Sequence, residues 1–469
     1  MTGLTRTVAA AVLAAAATAA LPAAARAAGE EAAKCNCIFC QAKQKIAEET
    51  PWLKLFADVR FRYVSAPNLL YNDHHAPDPD WSYIRTRYRL GATVSPCKDI
   101  DFNVRFVYEP RWYYEPDTYP YPRFNEIIID NLNVVWRKPC GLPLTAIVGR
   151  QDINLDGWLV IDGDPLDGSR TTFFDAARLT WDFTKECQTT IDTIFIQNHS
   201  DTDKTLPPIN DQDMPLEEED ARGAIVWVSN KSLKNTEINP FYIYKHDNKV
   251  LAAGRDADIQ TLGVRVIHDL TENWRLQGEW AGQFGYINGQ DLLAMGFLGS
   301  AIYRFKDAHA NEVHLTYEYQ SGDNETTRSQ NEKFDPLWGR FPTWSEGYGT
   351  YGTIQETGRI NDLANFHRIN VGWKCKPCDP VTLLADYDLL FADKNNITDQ
   401  ADHYEPGKKY GFSKDGCIRG HLLAFKLIYQ FTPHISGHAL AEIFFPGDYY
   451  TDAKNDVAGF FRYELVFAW

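Results

Sequence analysis

Arginine recurs at every second position in two neighbouring segments: Arg60 and Arg62 in the first, and Arg85, Arg87 and Arg89 in the second. In an extended chain, side chains two apart point the same way, so each run stacks its guanidiniums on one face. A guanidinium is planar, permanently charged and forks its donors to match a carboxylate or phosphate. The chemistry on offer is recognition of anions rather than the making of bonds. The same alternation places Arg105, Arg150, Arg178, Arg265, Arg275, Arg304, Arg368, Arg462 and Lys426 on polar strand faces. Acids share those faces, among them Asp58, Glu109, Asp152, Asp182, Glu279, Glu312, Glu318, Asp386, Asp388, Glu442 and Glu464. Two readings are open. In one, the opposite charges neutralise each other and brace a wall. In the other, surplus guanidiniums form a selectivity ladder for an anionic solute.

Residues for other chemistries are scattered. His246, His268, His314, His367, His421 and His438 fall singly among the strands. Ser436-Gly437-His438 puts a Ser and a His on one face, but no third group orients the His, and there is no Gly-x-Ser-x-Gly elbow. No enzyme activity is expected. Cys97, Cys140, Cys187, Cys375 and Cys378 lie in or beside short turns, Cys417 near the other end of its segment, and Cys35, Cys37 and Cys40 close together before the first segment. An exported chain would use them as disulfides, with one thiol left over from nine. No metal site is expected; the nearest approach to one is the thiolate cluster Cys35, Cys37 and Cys40. No His follows either Cys-x-x-Cys pair, which excludes haem attachment on the usual pattern. No cofactor is implied.

The elements that must carry these residues are strands. Phe461, Tyr463, Leu465, Phe467 and Trp469 alternate without a break, with Arg462 and Glu464 on the opposite face. A strand apolar on one side and charged on the other suits a wall between lipid and water. About eighteen such segments run from 54–64 to 458–469. An even number is what single-chain bacterial barrels require. Tight turns such as Ser95–Asp99, Lys138–Gly141 and Thr432–His434 alternate with long polar links such as 157–170, 202–217, 323–363 and 395–416. Lys or Arg facing lipid at the midplane would cost about 2–4 kcal/mol, so the polar face must be the lumen. The fold class expected is all-β: an antiparallel up-and-down transmembrane barrel with short periplasmic turns and long extracellular loops.

Composition agrees. Arg6 precedes an apolar run from Val8 to Leu21 and small residues around Ala25–Ala27, the pattern of a secretory signal peptide. Residues 1–27 are therefore expected to be removed, 28–52 to form a Cys-containing periplasmic tail with a short helix at 41–49, and 53–469 to form the barrel. Aromatics reach 13%, as two girdles would need. The net charge of −16 argues against nucleic acid as a partner.

Val148-Gly149-Arg150-Gln151-Asp152-Ile153-Asn154, followed by Phe173-Phe174-Asp175-Ala176-Ala177-Arg178-Leu179, resembles the Gly-Arg-Gln and Phe-Asp-Ala/Gly-x-Arg-Leu strands of the alginate export family of outer-membrane proteins. Lys333-Phe334-Asp335-Pro336-Leu337-Trp338-Gly339 resembles a Phe-Asp-Pro-Leu-Phe segment that the family places in a long loop. The resemblance implies an eighteen-stranded barrel with an arginine-lined constriction that passes an acidic polysaccharide. It makes Arg150 and Arg178 pore arginines and Asp152 and Asp175 their acidic partners. Asp175 has the wrong parity for the face of Arg178, so a bulge or a rim position is required there. The expected pore lining is Arg60, Arg62, Arg85, Arg87, Arg89, Arg105, Arg150, Asp152, Arg178, Arg304, Arg368 and Arg462. Loop 323–363, with Phe334, Asp335, Pro336 and Trp338, could fold over the mouth as a gate. The expected partners are outer-membrane lipid, an anionic polysaccharide or small anionic solutes, and the barrel-assembly machinery that reads the C-terminal strand. Two other readings are a general or anion-selective porin for small solutes, and a surface barrel that docks a periplasmic partner through its Cys-rich tail.

Overall fold

The computed structural model describes residues 38–469 apart from 71, 73, 75–78, 118–121, 156, 158–169, 171, 201–203, 217–218, 253, 325–326, 328, 340–343, 352–362 and 396–415. The segment expected to be a signal peptide, Cys35 and Cys37 lie outside these residues. A helix, α1 (Ile38–Glu49), precedes the first strand and includes Cys40.

Twenty strand segments follow: β1 (Leu53–Ala66), β2 (Trp81–Cys97), β3 (Ile100–Tyr108), β4 (Arg111–Glu115), β5 (Ile127–Arg137), β6 (Leu144–Gln151), β7 (Phe174–Phe183), β8 (Thr189–Asn198), β9 (Glu219–Asn230), β10 (Thr236–Lys249), β11 (Ala257–Asp269), β12 (Trp274–Ile287), β13 (Gln290–Arg304), β14 (Glu312–Gln320), β15 (Gln330–Asn331), β16 (Phe366–Cys378), β17 (Val381–Phe391), β18 (Ile418–Thr432), β19 (Ile435–Pro446) and β20 (Ala458–Ala468). Two short helices complete the order: α2 (Thr184–Cys187) in a turn and α3 (Tyr348–Tyr351) in a loop. β3 and β4 both pair with β2 and occupy one position in the wall, broken at Glu109-Pro110, where proline has no N–H to give the ladder. β15 is a two-residue parallel bridge to β13 inside a loop, and β14 pairs past it with β16. The wall therefore has 18 strands.

Each strand pairs antiparallel with the next, and β20 returns to pair with β1, from Asp58 opposite Ala468 to Ser65 opposite Phe461. The terminal residue finishes the seam: Trp469 donates its N–H to the carbonyl of Ala57 at 2.8 Å. Closure leaves no sheet edge, as a lipid environment demands. Short turns and long loops keep to opposite rims with one exception. β12 and β13 are joined on the long-loop rim by Asn288-Gly289, both at positive φ (50° and 83°), the two-residue hairpin that this dipeptide favours.

The alternation sorts the faces as expected. Phe61, Leu90, Phe102, Val148, Phe195, Leu262, Leu293, Leu315, Val371, Phe425 and Leu465 point outward and are exposed. An apolar band around the whole circumference has no place in water and matches lipid. Trp136, Trp274 and Trp373 stand near the short turns, and Tyr286, Tyr317, Tyr387 and Phe445 near the long loops, giving two aromatic girdles. No helix among the described residues is long and apolar enough to cross a membrane; the strands carry the crossing.

Candidate functional site

The paired arginine runs meet across β1 and β2. Their register sets Arg60 opposite Arg87 and Arg62 opposite Arg85, while Asp58 faces Arg89. Like charges directly opposite repel, so such a patch requires interleaved acids. The fold supplies them from three strands. Asp58 accepts from Arg89 (2.6 Å) and Arg87 (3.3 Å). Glu464, brought opposite Arg62 by the β1–β20 seam, accepts from it at 2.5 Å. Glu109, at the break between β3 and β4, bridges Arg60 (2.6 Å) and Arg85 (2.8 Å) and also accepts the backbone N–H of Arg170 at 3.1 Å. Arg60, Arg87 and Glu109 have no exposed surface. Among the described residues, five guanidiniums thus share three carboxylates in this patch.

A second group runs from β3 to β8. Arg105 forks onto Asp152 with two bonds (2.7 and 2.9 Å) and pairs with Asp130 at 2.9 Å. Arg178 pairs with Asp192 at 2.8 Å. Arg150 pairs not with Asp152 but with Asp175, directly opposite it across β6 and β7, through two bonds of 2.7 and 2.9 Å. Its guanidinium lies 3.9 Å from the ring of Phe173, which packs inside the barrel with Val107 and Ile128. Asp175 is the second residue of β7, at the loop rim, which is the rim position its parity required; opposite it, Arg150 follows a glycine. Gly149 has φ of +118°, a conformation that residues with a Cβ avoid. A Cβ there would also stand 2.3 Å from the carbonyl oxygen of Leu132. Gly149→Ala is therefore expected to destabilise the barrel by at least about 1–3 kcal/mol from backbone strain alone. A lowered unfolding midpoint in detergent checks this.

Towards the short-turn rim, Arg304 reaches Glu312 (3.4 Å) and Asp269 (3.8 Å), and Arg275 forks onto Asp269 with two bonds of 2.8 Å. On β16, Arg368 pairs with Asp388 (2.8 Å) and Glu318 (3.0 Å); on β20, beside the β1 patch, Arg462 pairs with Glu346 and donates to His438 at 2.8 Å. All twelve expected pore residues point inward. The structure does not gather them into one ring; it spreads them over separate stretches of wall.

The loop between β14 and β16 turns inward and reaches two walls. Its first lobe holds Phe334, Asp335, Pro336 and Leu337, all buried. Glycines make the seat. A Cβ at Gly296 would stand 3.0 Å from the Phe334 ring, and one at Gly223 would stand 2.2 Å from Trp338. The backbone of Asp335 exchanges two 2.8 Å bonds with the amide of Gln283, and its carboxylate pairs with Arg255. Trp338 stands against Phe174 and 5.4 Å from Lys245 Nζ. The second lobe, Trp344–Tyr351, docks on β16, β19 and β20. There Glu442 accepts from Ser345 Oγ (2.7 Å) and from the backbone N–H groups of Glu346 (2.8 Å) and Gly347 (3.0 Å). Tyr348 packs against Phe444, 4.3 Å between centroids.

Sequence reasoning missed Lys245, Asp247, Arg170, Arg255 and Arg419. Lys245 and Asp247 follow the buried Phe241 and Ile243 on the same inner face, so apolar residues on both faces of β10 hid the lumen. Arg170 pairs with Glu126 from a loop, which carries no period to read. His367 and His421 turn out to face outward, hydrogen-bonded to Tyr317 and Tyr387 in the girdle (2.8 and 2.7 Å). The six cysteines from Cys97 to Cys417 are free thiols rather than the disulfides expected of them. No group of three or more metal-ligating side chains comes together among the described residues.

A closed barrel with an apolar belt, aromatic girdles and a charged interior entered by its own loop is an outer-membrane channel. This chain belongs to the alginate export family, whose model matches residues 123–463. No curated protein matches it in sequence. Its fold is similar to the BenF-like porin from Pseudomonas fluorescens Pf-5 (TM-score 0.55, 10% identity, 89% of this chain and 98% of that one). It is similar also to Pseudomonas aeruginosa OccD3 (OpdP) (0.53, 10%, 89% and 91%) and to P. aeruginosa OccK2 (OpdF) in complex with glucuronate (0.53, 10%, 89% and 97%). At this identity the likeness concerns the fold.

Proposed function

We propose that the channel passes an anionic polysaccharide by passive diffusion along an arginine-lined lumen. One observation supports this: among the described residues, five guanidiniums crowd together with three carboxylates on one stretch of the β1–β2–β20 wall. Family membership supports the polysaccharide. In this reading the first lobe, with Phe334, Asp335, Pro336 and Trp338, is a gate held inside the lumen rather than over the mouth. A second reading, an anion-selective porin for small solutes, is favoured by the docking of that loop on two walls, which narrows the path. In both readings the leader at 1–27 is removed, 28–52 faces the periplasm with room to engage a partner there, and the terminal strand is the address read by the assembly machinery. Neither reading involves catalysis.

Reversal potentials in asymmetric salt across planar bilayers test the proposal. Wild type is expected to prefer anions, and polyuronate to block its current. Arg85→Ala/Arg87→Ala/Arg89→Ala is expected to lose the preference. Cation selectivity without polyuronate block would refute the reading; block by small anions but not by polyuronate would favour the porin.

A further inference from the structure

Among the described arginines and lysines of the strands, Arg222 alone stands on the outward face. On β9 the inward set includes Ala221, Ile225 and Trp227, all buried, while Arg222 is exposed in line with Val226. A lipid-facing arginine is costly at the midplane and nearly without penalty at the interface. Arg222 lies close to the outer end of its strand at Glu219, about 10 Å along the chain. A polar row fixes the level more closely. Residues directly opposite one another carry it across adjoining strands: Gln197 on β8, Arg222 on β9, His246 on β10, Asp258 on β11 and Tyr286 on β12. Tyr286 belongs to the outer girdle, and one outward position deeper stand the exposed rings of Phe195 and Phe284. The row therefore runs where hydrocarbon gives way to headgroups.

The acids near Arg222 are engaged with other groups. Asp220, on the same face of β9, accepts from Lys204 Nζ (3.0 Å) and from the Ser200 N–H (2.9 Å), with His199 Nδ1 at 3.4 Å. Asp258, on the far side of His246, accepts from the Tyr244 hydroxyl (2.8 Å) and lies 2.8 Å from His246 Nδ1. Arg222 itself makes no hydrogen bond or ion pair among the described residues. Its neighbour Gln197 has a second amide N–H beyond the one facing His199 Nε2 at 3.1 Å. Lys204 adds an exposed ammonium past the strand end. An unmatched guanidinium fork, an amide donor and an ammonium above exposed aromatic rings are the complement of an anion with an apolar tail.

We propose that Arg222 anchors a lipid site on the outside of the barrel. Its guanidinium holds the phosphate of an outer-leaflet headgroup, with the Gln197 amide beside it and Lys204 above, while the acyl chains lie along Phe195 and Phe284. The site faces away from the lumen and does not depend on which solute the channel passes.

The test is native mass spectrometry of the full-length barrel in detergent. Bisphosphorylated lipid A is the probe, and digalactosyl diacylglycerol, a glycolipid without phosphate, is the control. Wild type is expected to retain one lipid A under conditions that strip the control lipid. Arg222→Gln is expected to weaken that retention about tenfold, the loss of one charge-assisted contact. Arg222→Lys, which keeps the charge but not the fork, should fall between the two. Conductance and reversal potential in planar bilayers should match wild type in both variants, which separates the site from folding and from selectivity. Equal retention of lipid A by wild type and Arg222→Gln, or retention of the control glycolipid as strong as that of lipid A, would overturn the site. Displacement of lipid A by millimolar inorganic phosphate or by polyuronate would make the occupant a soluble anion and overturn it likewise.

Discussion

Glu109→Gln is expected to weaken the barrel by about 3–5 kcal/mol and at the same time to sharpen its preference for anions. The side chain has no exposed surface, and its two oxygens answer Arg60 and Arg85 at 2.6 and 2.8 Å. Glutamine keeps the shape but not the charge, so the loss is electrostatic rather than a cavity. Arg60 would keep Glu464 at 3.9 Å but lose its 2.6 Å partner, and removing one member of a buried ion pair is the costly direction. The patch would become more positive by one charge. Urea unfolding in detergent reads the first effect and reversal potential the second. A variant as stable as wild type would mean that Arg60 and Arg85 find other acceptors, and the bracing role assigned to Glu109 would be wrong.

Asp335→Ala should release the first lobe of the inward loop. The Asp335 carboxylate is paired with Arg255 and also accepts the N–H of Leu337 at 2.7 Å, which folds the turn that seats Phe334 and Leu337. Losing hydrogen bonds to a buried charge costs about 2–3 kcal/mol, a factor of about 30–150 in the population of undocked loop. Single-channel conductance is expected to rise and the open current to become noisier. The Gln283 bonds to the same backbone would remain, so the strand wall should be unaffected. Unchanged conductance would place the narrowest point elsewhere.

The wall was legible because its physics is local. Period two in residues such as Val313 to Tyr319 fixes which side meets lipid, and the cost of a charge in hydrocarbon fixes the sign. That logic is enough to place the arginines on the polar face and to pair β20 with β1. It did not find their partners. Whether Arg150 meets Asp152 or Asp175 depends on Gly149 slipping the pattern, and strict alternation carries no sign of such a slip. Arg170 and Arg255 come from loops, where no period exists. The inward turn of the β14–β16 loop was hidden for a different reason. Its seats are glycines at 223 and 296, and a missing side chain says nothing about what will fill the space.

The seam between the first and last strands has a further consequence. Arg62 and Glu464 are 402 positions apart, yet they bond side by side. Sliding β20 by one residue would turn Arg462 and Glu464 into the lipid and cost several kcal/mol; sliding it by two would keep the faces but separate Glu464 from Arg62. The join therefore checks its own alignment twice, once by solvent and once by charge. A chain that has not yet delivered its final residues has nothing with which to pass either check.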